Sequence, residues 1–121
     1  MSETVVVLGA SPKVDRYSHK AIKMLGEYGH KVVPVNPYHA QIDGIDCVKD
    51  VDEITVPADT VTVYMRESHL LPLIGHLVKL APRRVIFNPG AEAPAAYPAL
   101  EEAGIDIEEA CTLVLLRTDQ F

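Results

Sequence analysis

Apolar and polar positions in this chain fall into two alternating patterns. Continuous runs of β-branched and aliphatic residues occur at Val5 to Leu8, Lys31 to Asn36 (KVVPVN), Thr60 to Met65 (TVTVYM) and Arg84 to Phe87. They lack in-and-out alternation, the mark of parallel strands buried on both faces. Between them lie segments of helical period. Ala21, Ile22, Met24, Leu25 and Tyr28 predict a helix from near Ser18 to Tyr28, with Gly29 at the left-handed position that closes it. Leu70, Leu71, Leu73, Ile74, Leu77, Val78 and Leu80 predict a strongly apolar helix over Ser68 to Leu80, with Pro72 confined to its first turn. Pro94 to Ala103 predicts a further helix closed by Gly104.

The remaining stretches carry weaker patterns. Pro34 cannot donate to a ladder, so its strand must face a gap or a short neighbour. Gln41 to Val51 holds a turn at Asp43-Gly44 and an apolar patch at Cys47 and Val48, read as a short third strand, with a helical turn over Val51 to Ile54. Ile105 to Ile107 reads as an edge strand, and Glu108 to Leu116 as a final helix because Glu108 and Glu109 suit a first turn. Strands and helices alternating every 20 to 30 residues or so imply βαβ units with right-handed crossovers. The expected architecture is a single α/β domain over residues 1–121, three-layered and doubly wound, with a mostly parallel sheet of five to six strands.

Composition narrows the class. At 121 residues, 48% hydrophobic and 23% charged, the chain has the make-up of a globular protein. Its formal charge of −6 argues against nucleic acid and anionic membranes, and an anionic small ligand would need a local basic patch. No apolar run approaches the ~20 residues of a membrane span. The N-terminus, MSETVVVLGAS, lacks the basic start and cleavage site of a secretory signal, so a cytoplasmic location is expected, with Cys47 and Cys111 as reduced thiols.

Candidate chemistry gathers after the first strand, in VVVLGASPKVDRYS. Gly9 frees the backbone for a tight turn, Ser11 offers a hydroxyl, Pro12 fixes φ, and Lys13 and Arg16 bring positive charge. A helix opening just beyond points free N–H groups into that turn, which favours phosphate. This is not the dinucleotide fingerprint, which needs glycine at Ser11 and Val14 and an acid where Asn36 and Pro37 stand. Nor is it a Walker loop. A parallel sheet brings the C-terminal ends of all its strands to one edge, and ligands bind there. On that edge fall Asn36-Pro37, Arg66 to Ser68 and Asn88 to Glu92, so Lys13, Arg16 and Arg66 can face one anionic ligand. Arg84, at the start of its strand, sits on the opposite edge and serves as an uninvolved control. The five histidines show no metal-ligand spacing.

The segments GASPKVDRYS, GHKVVPVNP, YMRES, FNPGAE and EACTLVLL, in that order, resemble the small stand-alone CoA-binding proteins. Their Rossmann-like domain is similar to the N-terminal domain of the succinyl-CoA synthetase alpha subunit. The resemblance covers essentially the whole chain. It implies that Gly9, Ala10, Ser11, Pro12, Lys13, Arg16, Tyr17 and Ser18 line the phosphate end of coenzyme A, with Asn36 and Pro37 beside the adenosine and Arg66 ending the fourth strand. Asn88, Pro89 and Gly90 stand where many members carry a glutamine-containing loop. A ligase of the synthetase type needs a phosphorylatable histidine and a nucleotide-grasp domain, for which this chain has no room. The resemblance therefore implies binding of CoA or an acyl-CoA as a small-molecule ligand, without catalysis of its own. A homodimer stays open. Two alternatives also stay open: a small enzyme acting on a CoA thiol or acyl-CoA through Cys111 or Glu92, and an NAD(P)- or adenine-nucleotide-binding protein.

Overall fold

The computed structural model describes residues 2–121. Five strands form one sheet: β1 (Thr4–Leu8), β2 (Lys31–Val35), β5 (Thr60–Val63), β6 (Arg84–Phe87) and β7 (Asp106–Glu109). Their order is β2-β1-β5-β6-β7, and every neighbouring pair is parallel. Between β2 and β5 the chain makes a small antiparallel hairpin of β3 (Gln41–Ile42) and β4 (Ile45–Asp46). This replaces the single short strand expected there: Asp43 and Gly44, both at positive φ, turn the chain back on itself.

Helices cover both faces, giving the three-layer, Rossmann-like α/β arrangement. Successive strand residues point to opposite sides, so Val5 and Val7 pack with Ile22 and Leu25 of α1 (Tyr17–Glu27) and with Leu116 of α5 (Thr112–Arg117). Val6, Leu8, Val61, Val63, Val85 and Phe87 face the other way, against Leu70 of α2 (Glu67–Leu70), Leu77 of α3 (Ile74–Leu80) and Leu100 of α4 (Tyr97–Glu102). Among the described residues no helix is long and apolar enough to cross a membrane.

Several boundaries differ from the sequence reading. The apolar helix begins at Glu67 rather than Ser68. Pro72 lies in a 3₁₀ turn, Leu71–Leu73, that divides α2 from α3 instead of sitting in a first turn. The proline ring has no N–H to offer the preceding turn, so the ladder tightens and restarts. Glu108 and Glu109 belong to β7, not to a helix. Register places Glu108 opposite Ile86 and Glu109 opposite Phe87, and α5 starts only at Thr112. Pro34 is tolerated because β2 is the sheet's edge. Its carbonyl accepts from the Val48 N–H at 3.0 Å, so the missing proton also lies on that outer side.

Arg84 does stand at the N-terminal end of its strand, on the edge away from the strand C-termini, but its role there is structural. It is buried, with Nε donating to Thr60 Oγ1 at 2.9 Å and the guanidinium within 3.4 Å of both Glu3 and Glu108. Its guanidinium also sits 4.5 Å over the Phe121 ring. This network ties Glu3, just before β1, to β5, β6 and β7.

Candidate functional site

The chain runs from β1 outward to β2 on one side and returns to β5 on the other, so β1 and β5 are adjacent strands with crossovers leaving in opposite directions. Helix α1 goes to one face and α2 to the other, and a crevice opens between them at the C-terminal ends of the two strands. That crevice is a cleft of about 380 Å³ lined by residues of three loops. Gly9, Ser11 and Arg16 come from the β1 loop and Tyr17 and Ser18 from the first turn of α1, Tyr64, Met65 and Arg66 follow β5, and Pro89, Gly90 and Ala91 follow β6.

Gly9 sets how closely the first two loops approach. Its φ is +88°, and a Cβ there would stand 3.0 Å from the carbonyl carbon and oxygen of Tyr64. The Tyr64 N–H meanwhile donates to the Leu8 carbonyl at 2.9 Å. Only glycine satisfies both the left-handed conformation and that contact. Beyond it, the Ser11 hydroxyl accepts from the Lys13 N–H at 3.1 Å and Lys13's carbonyl accepts from the Arg16 N–H, which folds the loop into two turns just ahead of α1.

Arg16 and Arg66 bring positive charge to the cleft from two different loops. Both are exposed, and among the described residues neither has a carboxylate within ion-pair distance. The adjacent Glu67 is engaged elsewhere, its carboxylate accepting from the Ala95 N–H at 3.1 Å. Lys13 and Pro12 are exposed on the outside of the loop and do not line the cleft. Ala10 is buried beneath it.

The two asparagines hold the loops in place with their own side chains. Asn36 is buried; its Nδ2 donates to the Ala10 carbonyl at 2.9 Å, and its Oδ1 accepts from the N–H groups of Tyr38 and His39 at 2.7 and 3.0 Å. It thereby ties the β1 loop to the β2 loop, and Pro37 beside it lines a separate hollow with Tyr38 and His39. Asn88 is buried as well. Its Nδ2 donates to Thr62 Oγ1 at 2.7 Å and to the Val63 carbonyl at 2.9 Å, while its Oδ1 accepts from the Thr112 N–H at 2.9 Å. The carboxamide so joins β5 to the start of α5.

A smaller cavity of about 220 Å³ adjoins the cleft, lined by Tyr17, Tyr64, Asn88, Pro89, Cys111 and Leu113. Tyr17, Tyr64 and Pro89 belong to both. The Tyr64 hydroxyl is buried near the Thr62 and Thr112 hydroxyls, which share a 2.8 Å bond, and finds no partner of its own. Burial pushes this phenol up to about 12, against which the two threonine hydroxyls pull weakly. Glu92 turns back to accept from the Gly90 N–H at 2.9 Å. Among the described residues, no histidine or carboxylate lines the cavity that holds Cys111.

The structure thus gathers Gly9, Ser11, Arg16, Tyr17, Ser18, Arg66, Pro89 and Gly90 around one cleft. It adds Tyr64, Met65 and Leu113, which the sequence reading does not name as site residues, and Ala91, which lies within the stretch Asn88 to Glu92 expected on that edge. Tyr64 and Met65 had been assigned to the strand, but β5 ends at Val63. Their signal is their place directly before Arg66, on the edge where the loops meet.

A parallel sheet covered by helices on both faces, with a crevice at its crossover point, defines a Rossmann-like α/β domain. Within that class, the chain matches the family of CoA binding domains over residues 3–117, and it belongs to that family. It is 29% identical over 103 residues to the uncharacterized protein YneT of Bacillus subtilis (strain 168), covering 85% of this chain and 76% of that protein. The solved structure of the cell-free ID.343 protein from Thermus thermophilus superposes with a TM-score of 0.89 at 30% identity, over 99% of this chain and 91% of that one. The fold is also that of part of the dinucleotide forming acetyl-coenzyme A synthetase 1 of Ca. Korarchaeum cryptofilum, with a TM-score of 0.76 at 17% identity. That match takes in 87% of this chain and 25% of the enzyme.

Proposed function

We propose that this chain binds coenzyme A, or an acyl-CoA, through its ADP and phosphate portion in the cleft between the β1 and β5 loops, as a binding module rather than a catalyst. The observation that carries this reading is that two exposed arginines, Arg16 and Arg66, line one crevice with no acidic partner among the described residues, in a protein of net charge −6. Membership of the CoA binding domain family supports coenzyme A as the ligand.

The residues present fit that ligand. Gly9 lets the β1 and β5 loops close on one another where they line the cleft, α1 begins beside that cleft, and the guanidinium groups supply charge-assisted hydrogen bonds. When bound, CoA supplies a thiol as its reactive group. The chain's own contribution is to hold and orient the polyphosphate. A nucleophile would need an adjacent base, and the walls around Cys111 offer none.

Titration calorimetry with CoA, NAD and ADP on the intact chain tests the reading. CoA should bind, with NAD weaker. Heat from NAD alone would replace this assignment with a dinucleotide one, and no heat from any of the three would remove the ligand reading altogether.

A further inference from the structure

The cavity beside the cleft has walls that present almost no free hydrogen-bonding group. Asn88 contributes a carboxamide whose donors and acceptor are already engaged with Thr62, Val63 and Thr112. The Tyr64 hydroxyl is wholly buried, so that residue shows the cavity its ring and not its polar tip. Pro89 and buried Leu113 add apolar surface, and the heteroatoms that remain are the weakly polar thiol of Cys111 and the phenolic hydroxyl of exposed Tyr17, a residue the cavity shares with the cleft. A polar or charged group placed here would lose its water without replacement bonds.

The cavity also shares Tyr17, Tyr64 and Pro89 with the cleft, so a ligand held by its phosphates there has this space next to it. Its volume of about 220 Å³ sets the size of what can enter. An apolar cavity of about 150 Å³ accommodates benzene, so a group of roughly four to six carbons fits.

Resting on the CoA reading above, we infer that this cavity is the subsite for a short, uncharged acyl group, and that the protein's ligand class is acyl-CoA with an apolar acyl chain rather than free CoA. Phosphate recognition in the cleft and acyl recognition in the cavity are then separate contributions from separate residues. The cavity supplies the difference between one acyl-CoA and another.

The test is a homologous series measured by titration calorimetry on the intact chain: CoA, acetyl-CoA, butyryl-CoA, hexanoyl-CoA and succinyl-CoA. Affinity should rise roughly fourfold for each methylene buried, up to about six carbons. Succinyl-CoA, which would carry a carboxylate into the apolar walls, should bind no more tightly than CoA. A flat series with CoA still bound, or succinyl-CoA as the tightest ligand, overturns the acyl subsite while leaving the CoA reading intact. Failure of every CoA compound to bind overturns both. Leu113→Phe narrows the cavity and should flatten the ratio of hexanoyl-CoA to CoA affinity measured within that variant. Because Leu113 is buried and its replacement can disturb α5, Cys111→Leu provides a second narrowing at a half-buried wall position. An undiminished ratio in a folded Cys111→Leu protein places the acyl group elsewhere.

Discussion

Arg16 and Arg84 show how differently one residue type acts at the two ends of the same sheet. Arg16 is exposed beside the cleft, its side chain without a partner among the described residues, so its loss should leave the unliganded protein's melting temperature unchanged. If it makes a charge-assisted hydrogen bond to phosphate, Arg16→Ala should weaken CoA binding by about 1.5–3 kcal/mol, roughly ten- to a hundredfold, in calorimetry. Arg84 is enclosed by Thr60, Glu3 and Glu108. Its removal leaves Glu3, only 17% exposed, with Arg83 as its remaining cation. Arg84→Ala should therefore destabilise the fold by about 3 kcal/mol in denaturant unfolding, near the low end for breaking a buried pair. A stable Arg84→Ala protein would mean that the network contributes little. Tyr64 makes the opposite case, since its buried hydroxyl has no partner. Tyr64→Phe should be at least as stable as the parent, because a deleted hydroxyl that made no bond leaves nothing unsatisfied behind. The native phenol is raised to about 12, so its neutral form is favoured by folding and stability falls as pH rises from about 10 towards 12. Comparing parent and Tyr64→Phe over that range should show a shallower alkaline loss in the variant, and a steeper one would contradict the assignment.

At the scale of elements, the site is made by loops that side chains at strand ends hold to one another. Asn36 fastens the β1 loop to the β2 loop and Asn88 fastens β5 to α5. Asn88→Ala would strand the Thr112 N–H and leave Thr62 with one partner fewer inside a buried region. Each unsatisfied buried group costs about 1–3 kcal/mol, so a loss of roughly 2–4 kcal/mol in unfolding free energy is expected. A loss under about 1 kcal/mol would show that water replaces the carboxamide. Elements with continuous apolar runs were legible from sequence: β1, β2, β5 and β6 all fall where Val, Ile and Leu cluster, and α1 follows its 3.6-residue period. The errors came where local preference and tertiary pairing disagree. Glu108 and Glu109 suit a helix start, yet pairing with Ile86 and Phe87 makes them an edge strand. Asn36 and Asn88 read as turn residues on the ligand edge. That they direct their amides inward depends on contacts 24 to 26 residues away, which no local pattern encodes.

For the molecule as a whole, the sheet order carries the functional argument. β1 lies between β2 and β5, which makes the crevice at Gly9 the place where crossovers part, and the loops bearing Arg16 and Arg66 meet there as a consequence. The phosphate-facing half of the site was readable from GASPKVDRYS and YMRES. The adjoining cavity was not, because it is assembled from Tyr17, Tyr64, Pro89, Cys111 and Leu113, residues spread from α1 to α5. A ligand that binds only the folded chain stabilises it by about 2.7 kcal/mol at a hundred times its dissociation constant, roughly a 10 °C rise in melting temperature for a protein of this size. The most direct test of the account is therefore thermal unfolding of the parent and of Arg16→Ala with saturating CoA and, separately, saturating NAD. The account predicts a rise of that order with CoA for the parent, a clearly smaller rise at the same CoA concentration for Arg16→Ala, and a smaller shift with NAD. Equal shifts for parent and variant, or a shift with NAD and none with CoA, would contradict it.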